Sequence, residues 1–161
     1  MNFDRSDHDH VRLLLPDHHR RLEARCRALV ESDQTGDAYA LRLRWFELET
    51  ELLEHLSAEE ITIIPRYAID APDDARRILT EHAQLRNLLT PIGTKEESHI
   101  EHAERVVRLV DLLDRHADHE DSQMYPWAQH NLSQVTERLL FKRVCAWFGL
   151  VHESASLRTA G

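Results

Sequence analysis

The sequence predicts an all-α fold, an up-down-up-down four-helix bundle with an additional C-terminal helix. The chain of 161 residues contains only four glycines and five prolines, a composition that favours long helices over turns. Its apolar residues recur at helical spacing in four stretches, and short breakers separate these stretches. Short connections make consecutive helices antiparallel neighbours, which gives the up-down-up-down order.

Each of the four predicted helices carries one stripe of buried residues, with spacings that alternate between three and four. In every stripe a histidine stands where an apolar residue is expected. In chain order the stripes are Leu15, His19, Leu22, Cys26 and Leu29; Leu41, Trp45, Leu48, Leu52, His55 and Glu59; Ile78, His82, Leu85 and Leu89; and Val106, Leu109, Leu113, His116 and Glu120. These histidines are therefore predicted to face the interior of the bundle.

Three breakers that contain glycine or proline divide the four helices, at residues 32–37, 71–73 and 90–94. Pro65 and Pro126 lie near the ends of the second and fourth predicted helices. Because proline removes one backbone hydrogen bond and crowds the carbonyl four residues back, we expect a kink or a stop at each.

A fifth amphipathic pattern begins near Asn131 and ends near Gly149. Its apolar positions are Val135, Leu139, Val144 and Phe148. We expect this C-terminal helix to pack on the outside of the bundle or to form a subunit contact, which makes a homodimer through it one expectation. The predicted domain covers residues 1–150, and residues 151–161 are expected to form a flexible tail.

Composition and charge limit the partners. The formal net charge of −9 argues against a nucleic-acid surface. The polar, acidic start does not resemble a signal peptide, and no apolar stretch has the length of a membrane span, so we expect no membrane partner. Cys26 and Cys145 are far apart and lack zinc spacing, so we expect reduced thiols and a cytoplasmic protein.

The chain contains twelve histidines, and two of them belong to a duplicated motif. His55 precedes Glu59 by four residues and His116 precedes Glu120 by four, and in both copies a proline lies six residues after the glutamate. Residues four apart share one helix face. A buried imidazole and a buried carboxylate are each costly alone, and a metal ion relieves both because it binds the nitrogen lone pair and neutralises the carboxylate.

The predicted ligand set has six members: His19, His55, Glu59, His82, His116 and Glu120. One stripe histidine alone is more often a hydrogen-bonded core residue than a ligand, but four with two carboxylates at duplicated spacing favour a metal site. Six ligands are too many for one tetrahedral zinc. They suit two metals bridged by the carboxylates, each also holding two histidines, and nitrogen with oxygen donors suits iron or manganese best.

This pattern resembles the hemerythrin-like, HHE cation-binding family. The matching segments are Asp-His-His-Arg-Arg-Leu-Glu around His19, His-Leu-Ser-Ala-Glu-Glu from His55, Thr-Glu-His-Ala-Gln-Leu around His82, and His-Ala-Asp-His-Glu-Asp from His116, together with the two downstream prolines. The resemblance covers about residues 8 to 130. It implies a four-helix bundle that holds a non-haem di-iron centre, with the six residues as iron ligands and the two carboxylates bridging the irons.

Two ligand positions stay open at this point. His18 could replace His19, because Leu14, His18 and Leu22 also form a stripe, although the stripe of His19 is longer. Asp121 could replace Glu120, since oxygen-carrying hemerythrins have an aspartate five residues after the histidine, whereas the repeated proline spacing selects Glu120.

One departure from the family bears on function. Oxygen-carrying hemerythrins place a second histidine on the third helix, four residues from the first, where this chain has Ile78 and Arg86. Unless His18 supplies the missing ligand, more coordination positions are open. This favours reaction with O2, peroxide or NO over reversible oxygen carriage.

The first functional hypothesis is therefore a di-iron protein that binds or reduces a small oxidant: O2, peroxide or NO. No separate catalytic acid or base can be named. The alternatives are iron handling, as ferroxidase, storage or iron donation, and a redox or oxygen sensor that acts through a partner. Tyr67 and Tyr125 are expected to pack near the metal or to hydrogen-bond its ligands. Cys26 is expected in the core, and His119 and His130 in solvent.

Overall fold

The computed structural model describes the backbone of residues 6–35, 38–89, 99–132, 136 and 140, and the side chains of 17–31, 39–89, 103–132, 136 and 140. It contains the helices α1 (Ser6–Thr35), α2 (Ala38–Thr62), α3 (Ile64–Asp70), α4 (Pro72–Leu88), α5 (His99–Ser122) and α6 (Met124–Asn131). No strand occurs among these residues. The predicted all-α class is confirmed.

The helices pack as a four-helix bundle. Helix α1 packs against α2 and α5, and α4 packs against α5 and contacts α2. The short helices α3 and α6 extend α2 and α5 and contact each other. Within the described ranges, no helix has the length and apolar composition needed to cross a membrane.

The second and fourth predicted helices are each interrupted just before their proline. Helix α2 ends at Thr62 and α3 begins at Ile64, with Pro65 in its first turn. The amides of Arg66 and Tyr67 both donate to the Ile63 carbonyl, at 3.0 Å. The break before Pro126 is equivalent, since α5 ends at Ser122 and α6 begins at Met124. The expected interruptions are confirmed, and their cause is the missing proline N–H and its crowded ring.

The predicted breakers differ in outcome. The break at 71–73 is confirmed, because α4 begins at Pro72, where the first helical turn needs no N–H. The break at 32–37 starts too early, since α1 continues to Thr35. Residues 32–35 contain neither glycine nor proline, so nothing local stops the helix before Gly36. Residues 90–98 lie outside the described residues.

The C-terminal prediction is largely untested. Of the fifth pattern only Thr136 and Leu140 are described, and both are buried. The rest of that helix, the tail at 151–161 and Cys145 lie outside the described residues.

Two apolar clusters fill the bundle. The larger one contains leucines of α1, α2, α4 and α5 together with Cys26, Trp45 and Val106. The smaller one lies at the end of the bundle with α3 and α6 and includes Ile63, Ile78 and Met124. Along α2, α4 and α5 the predicted metal ligands lie between residues of the larger cluster and residues of the smaller one. A polar layer is therefore enclosed between two apolar layers.

Candidate metal centre

The six predicted ligands converge in this polar layer from four helices. His19 is on α1, His55 and Glu59 are on α2, His82 is on α4, and His116 and Glu120 are on α5. His19 is 1% exposed, and the other five are 0% exposed. Such complete burial of four imidazoles and two carboxylates requires strong compensating contacts inside the layer.

The six residues form two groups that could each hold a metal ion. One group is His19, His55, Glu59 and Glu120, and the other is Glu59, His82, His116 and Glu120. Within each group, one ligand atom per residue lies within 4.8 Å of the ligand atoms of the others. Both carboxylates belong to both groups. This is the geometry that bridging of two cations by Glu59 and Glu120 requires.

The Nε2 atoms of all four histidines face the carboxylates. His55 Nε2 lies 3.4 Å from Glu59 Oε1, and His82 Nε2 lies 3.5 Å from Glu59 Oε2. The Nε2 atoms of His19 and His116 each lie 3.3 Å from Glu120 Oε2, and His82 Nε2 lies 3.4 Å from Glu120 Oε1. His19 and His55 also bring their Nε2 atoms to 3.1 Å of each other. Donor atoms are therefore concentrated at one point.

The donor set fits cations because several of its atoms are otherwise unsatisfied. Among the described residues, Glu59 Oε2, His116 Nε2 and Glu120 Oε2 are buried and make no hydrogen bond. Leaving a buried polar atom unpaired costs about 1–3 kcal/mol, and more when the group is charged. Cations bound by these atoms would remove that cost, and mixed nitrogen and oxygen donors match iron or manganese.

The two carboxylates affect each other's protonation. Burial and the charge of Glu120 raise the pKa of Glu59 well above its ordinary value. Burial also opposes ionisation of Glu120, but the positive charge of His116 and the close contacts with His19 and His82 outweigh it and hold the pKa of Glu120 well below its ordinary value. Two carboxylates this close cannot both ionise cheaply without added positive charge.

The histidines of the first group differ in charge. Burial, followed by the positive charges of His19 and His18, lowers the pKa of His55 well below its ordinary value, which keeps this imidazole in the neutral form that binds metals. For His19, burial is outweighed by hydrogen bonds to Asp121 and Glu120, which raise the pKa to about 10. The carboxylates around His19 thus attract positive charge to the centre.

The sequence profile of the Hemerythrin HHE cation binding domain matches residues 10–128, about three quarters of the chain. The chain belongs to the hemerythrin HHE cation-binding family. The match includes all six residues of the two groups. No curated protein and no solved structure gives a significant match. The resemblance carried by the duplicated motif is thereby confirmed at the level of the family.

Around the hemerythrin-family centre, three of the four histidines have a carboxylate at Nδ1. His19 Nδ1 is 3.2 Å from Asp121 Oδ1. His82 Nδ1 is 2.9 Å from Glu60 Oε1, and His116 Nδ1 is 3.1 Å from Glu81 Oε2. In a neutral imidazole, a carboxylate that accepts the Nδ1 proton leaves the lone pair on Nε2, the nitrogen that faces the centre. Each ring is thereby oriented for metal binding.

His55 is held differently, by His18. Their Nδ1 atoms share a hydrogen bond of 2.9 Å, and His18 Nε2 lies 3.5 Å from Glu51 Oε1. A proton on His18 Nε2 toward Glu51 leaves His18 Nδ1 free to accept from His55. The lone pair of His55 Nε2 then faces the centre, the direction in which the Nε2 atoms of the other three histidines also point.

The structure distinguishes the alternatives at the two ligand positions that the sequence left open. His19, and not His18, belongs to one of the four-residue groups. Glu120 belongs to both groups, whereas Asp121 contacts the outer nitrogen of His19 and has a side chain that is 40% exposed. Metal ligation by the six residues stays a prediction, but the geometry brings all of them together.

Several supporting residues were missed from the sequence. Glu60 accepts two hydrogen bonds from Arg86, at 2.6 and 2.9 Å, as well as contacting His82. Glu81 contacts both His116 and His119, whose hydrogen bonds outweigh burial and lower the pKa of Glu81 to about 2. Glu60 directly follows the predicted ligand Glu59, and Glu81 directly precedes the predicted ligand His82. This adjacency in sequence could have identified both as supporting residues.

His119 was predicted to lie in solvent, and this prediction is wrong. The residue is only 7% exposed. Its Nδ1 contacts Glu81 at 3.0 Å and its Nε2 contacts Asp74 at 3.0 Å, because α4 supplies two carboxylates opposite this face of α5. His130 is exposed, as predicted. Cys26 is buried in the larger cluster, also as predicted.

The two tyrosines also differ. The Tyr125 hydroxyl donates a hydrogen bond to Glu59 Oε1 and lies 3.2 Å from His19 Nε2. Its ring stacks on His19 at a centroid distance of 5.3 Å. Tyr67 donates instead to Asp74, at 2.7 Å, so it reaches the centre only through other residues. Of the two expected roles, Tyr125 makes the hydrogen bond to a predicted ligand, and Tyr67 is packed in the smaller cluster.

Proposed function

We propose that this chain is a non-haem di-iron protein that binds or reduces a small oxidant: O2, peroxide or NO. The observation that carries the proposal is the pair of buried four-residue groups with Glu59 and Glu120 in common. Shared carboxylates support a pair of cations rather than two separate sites.

In this proposal His19 and His55 hold one cation, His82 and His116 hold the other, and the two glutamates serve both. When bound, a pair of iron ions would supply electrons to a small oxidant. The protein's part is to orient the imidazoles through their Nδ1 partners and to keep bulk water away with the two apolar clusters.

The surroundings of His82 support the inference that coordination positions stay open. Ile78 is fully buried in the smaller apolar cluster, and Arg86 is paired with Glu60, so neither site flanking His82 supplies a ligand. His18 contacts His55 and belongs to neither group. Two imidazoles and two carboxylates give each cation fewer protein ligands than the six of an octahedral site. The remaining positions suit a small ligand.

Tyr125 is the hydroxyl donor placed at this centre. Its O–H donates to Glu59 and lies near the Nε2 atom of His19. It therefore offers a proton beside a bridging carboxylate, where a reduced oxygen species would need one. We propose that Tyr125 orients Glu59 and holds this proton.

The proposal is tested by metal analysis and absorption spectra of the protein purified without added metal. We expect about two iron atoms per chain, and spectra that change on addition of azide or peroxide. His55→Ala and Glu59→Ala should lose most of the iron, whereas His130→Ala, which replaces an exposed histidine, should keep it.

Other results would overturn the proposal. Full iron content in His55→Ala would refute the ligand assignment. Accumulation of many irons per chain would favour iron storage, an alternative that the net charge of −9 also suits. Spectra unchanged by azide, peroxide or NO would mean that no coordination position is open.

A further inference from the structure

Helix α2 has apolar residues on two opposite faces. Its inner face supplies Trp45, Leu48, Leu52 and Leu56 to the larger cluster. Its outer face, hereafter the outer α2 face, consists of Tyr39, Leu43, Phe46 and Leu53, which are 72%, 48%, 65% and 36% exposed. Their spacings of four, three and seven place them on one stripe about 21 Å long. Four large, exposed apolar side chains on one helix face mark a candidate contact surface.

Two charged residues lie beside this stripe. Arg42 and Glu49 flank the same side of it, seven residues apart, and within the described part of the chain neither makes an ion pair. The charges that point toward α1 are satisfied: Glu47 pairs with Arg25 at 2.8 Å, and Arg44 donates to the Ala28 carbonyl at 3.1 Å. Arg42 and Glu49 therefore lie beside the outer α2 face without an ion pair among the described residues.

We propose that the outer α2 face binds the same face of a second copy of this chain, with the two α2 helices antiparallel and related by a two-fold axis at Phe46. Tyr39 and Leu53 lie seven residues before and after Phe46. The axis therefore places Tyr39 of each copy opposite Leu53 of the other and the two Phe46 rings together. Such a self-complementary contact is the usual form of a two-fold dimer.

The charges specify this arrangement. In an antiparallel pair related by a two-fold axis, the same side of each helix meets the same side of the other. Arg42 lies four residues before Phe46 and Glu49 three residues after it, so each Arg42 faces Glu49 of the second copy. A parallel pair related by a two-fold axis would instead place these two residues of one copy and those of the other on opposite sides of the interface, where Arg42 and Glu49 could not pair.

Affinity and orientation come from different residues in this interface. Exposed ion pairs contribute little to affinity, about 0–1 kcal/mol each, and act mainly on partner orientation. Buried aromatic residues dominate binding energy at interfaces, which assigns that part to Phe46 and Tyr39. One helix face is a small contact, so the dimer should dissociate on dilution.

The test is sedimentation of the full-length protein over a wide range of concentrations. The wild type should change from monomer to dimer as concentration rises. Phe46→Glu should weaken the dimer at least tenfold, whereas Val107→Glu, at a 54% exposed position on α5, should leave it unchanged. Far-UV circular dichroism confirms that each variant is folded.

A charge exchange tests the antiparallel arrangement. Arg42→Glu and Glu49→Arg should each weaken the dimer severalfold, and the double variant should restore it, since opposite charges face each other again. A wild type that stays monomeric, a dimer that survives Phe46→Glu, as one formed through the C-terminal helix would, or a double variant no better than the single ones would each overturn the proposal. None of these results depends on metal content, so the function proposed above is tested separately.

Discussion

Replacing Glu59 with glutamine should stabilise the metal-free protein and weaken metal binding, two effects of opposite sign from one substitution. In the metal-free protein Glu59 is fully buried, and its ligand oxygen lies within 4.8 Å of that of Glu120. Glutamine has the same shape and no charge. Its oxygen can accept from Tyr125, and its amide can donate to Glu120.

Two independent estimates give the same size for the stabilisation of the metal-free protein by Glu59→Gln. Two unit charges 4.8 Å apart repel by about 3 kcal/mol at an effective dielectric constant near 20. The alternative is to keep a proton on Glu59. At pH 7, about 2.5 pH units above its ordinary pKa of 4.5, this also costs about 3 kcal/mol. Because burying the glutamine amide offsets part of this gain, we expect a net increase of about 1–3 kcal/mol in the free energy of unfolding.

The effect should depend on pH in a defined direction. The pKa of Glu59 is raised in the folded, metal-free protein by burial and by the charge of Glu120. A carboxyl group whose pKa is higher in the folded than in the unfolded protein favours the folded state fully only below its unfolded pKa, here 4.5. As the pH rises from there toward the folded pKa, this contribution to the free energy of unfolding is lost. The advantage of Glu59→Gln over the wild type should therefore be small near pH 4.5 and grow toward neutral pH.

The assay is urea unfolding of chelator-treated proteins, followed by circular dichroism at several pH values, together with iron analysis of untreated samples. Glu54→Gln, an exposed glutamate on the same helix, is the matched control and should change neither quantity. A metal-free Glu59→Gln protein less stable than the metal-free wild type, or one with full iron content, would refute this reasoning.

Three further substitutions or reactions test other parts of the structure. Leu52→Ala removes a fully buried side chain from the larger cluster and should lower the free energy of unfolding by about 2–5 kcal/mol in urea titrations; a loss below 1 kcal/mol would contradict the packing. Burial raises the pKa of the Cys26 thiol to about 12, so peptide mapping should find it alkylated at pH 8 only after unfolding, and rapid native labelling would be inconsistent with its burial. Tyr125→Phe leaves a Glu59 oxygen without its donor and should destabilise the protein by about 1–3 kcal/mol while the iron content stays that of the wild type; loss of iron would make Tyr125 essential to metal binding.

Much of the fold followed from local patterns. The stripes ending at Glu59 and Glu120 predicted two helices, and the prolines six residues beyond each predicted their interruptions, because a missing N–H acts within one helical turn. The end of α1 was misplaced because 32–35 are polar but remain compatible with a helix. His119 was misplaced because its partners Asp74 and Glu81 are on another helix.

The sequence by itself determined which histidine and which carboxylate share one helix face. The distance from a histidine to a glutamate four residues later is a property of one helix, so the pairs His55 with Glu59 and His116 with Glu120 could be read directly. Only the tertiary structure decided between His18 and His19. Both are buried, and the rotation of α1 about its own axis, set by its packing against α2 and α5, turns His19 toward the carboxylates and His18 toward the outer nitrogen of His55. That rotation depends on contacts between distant parts of the chain, which no local spacing contains.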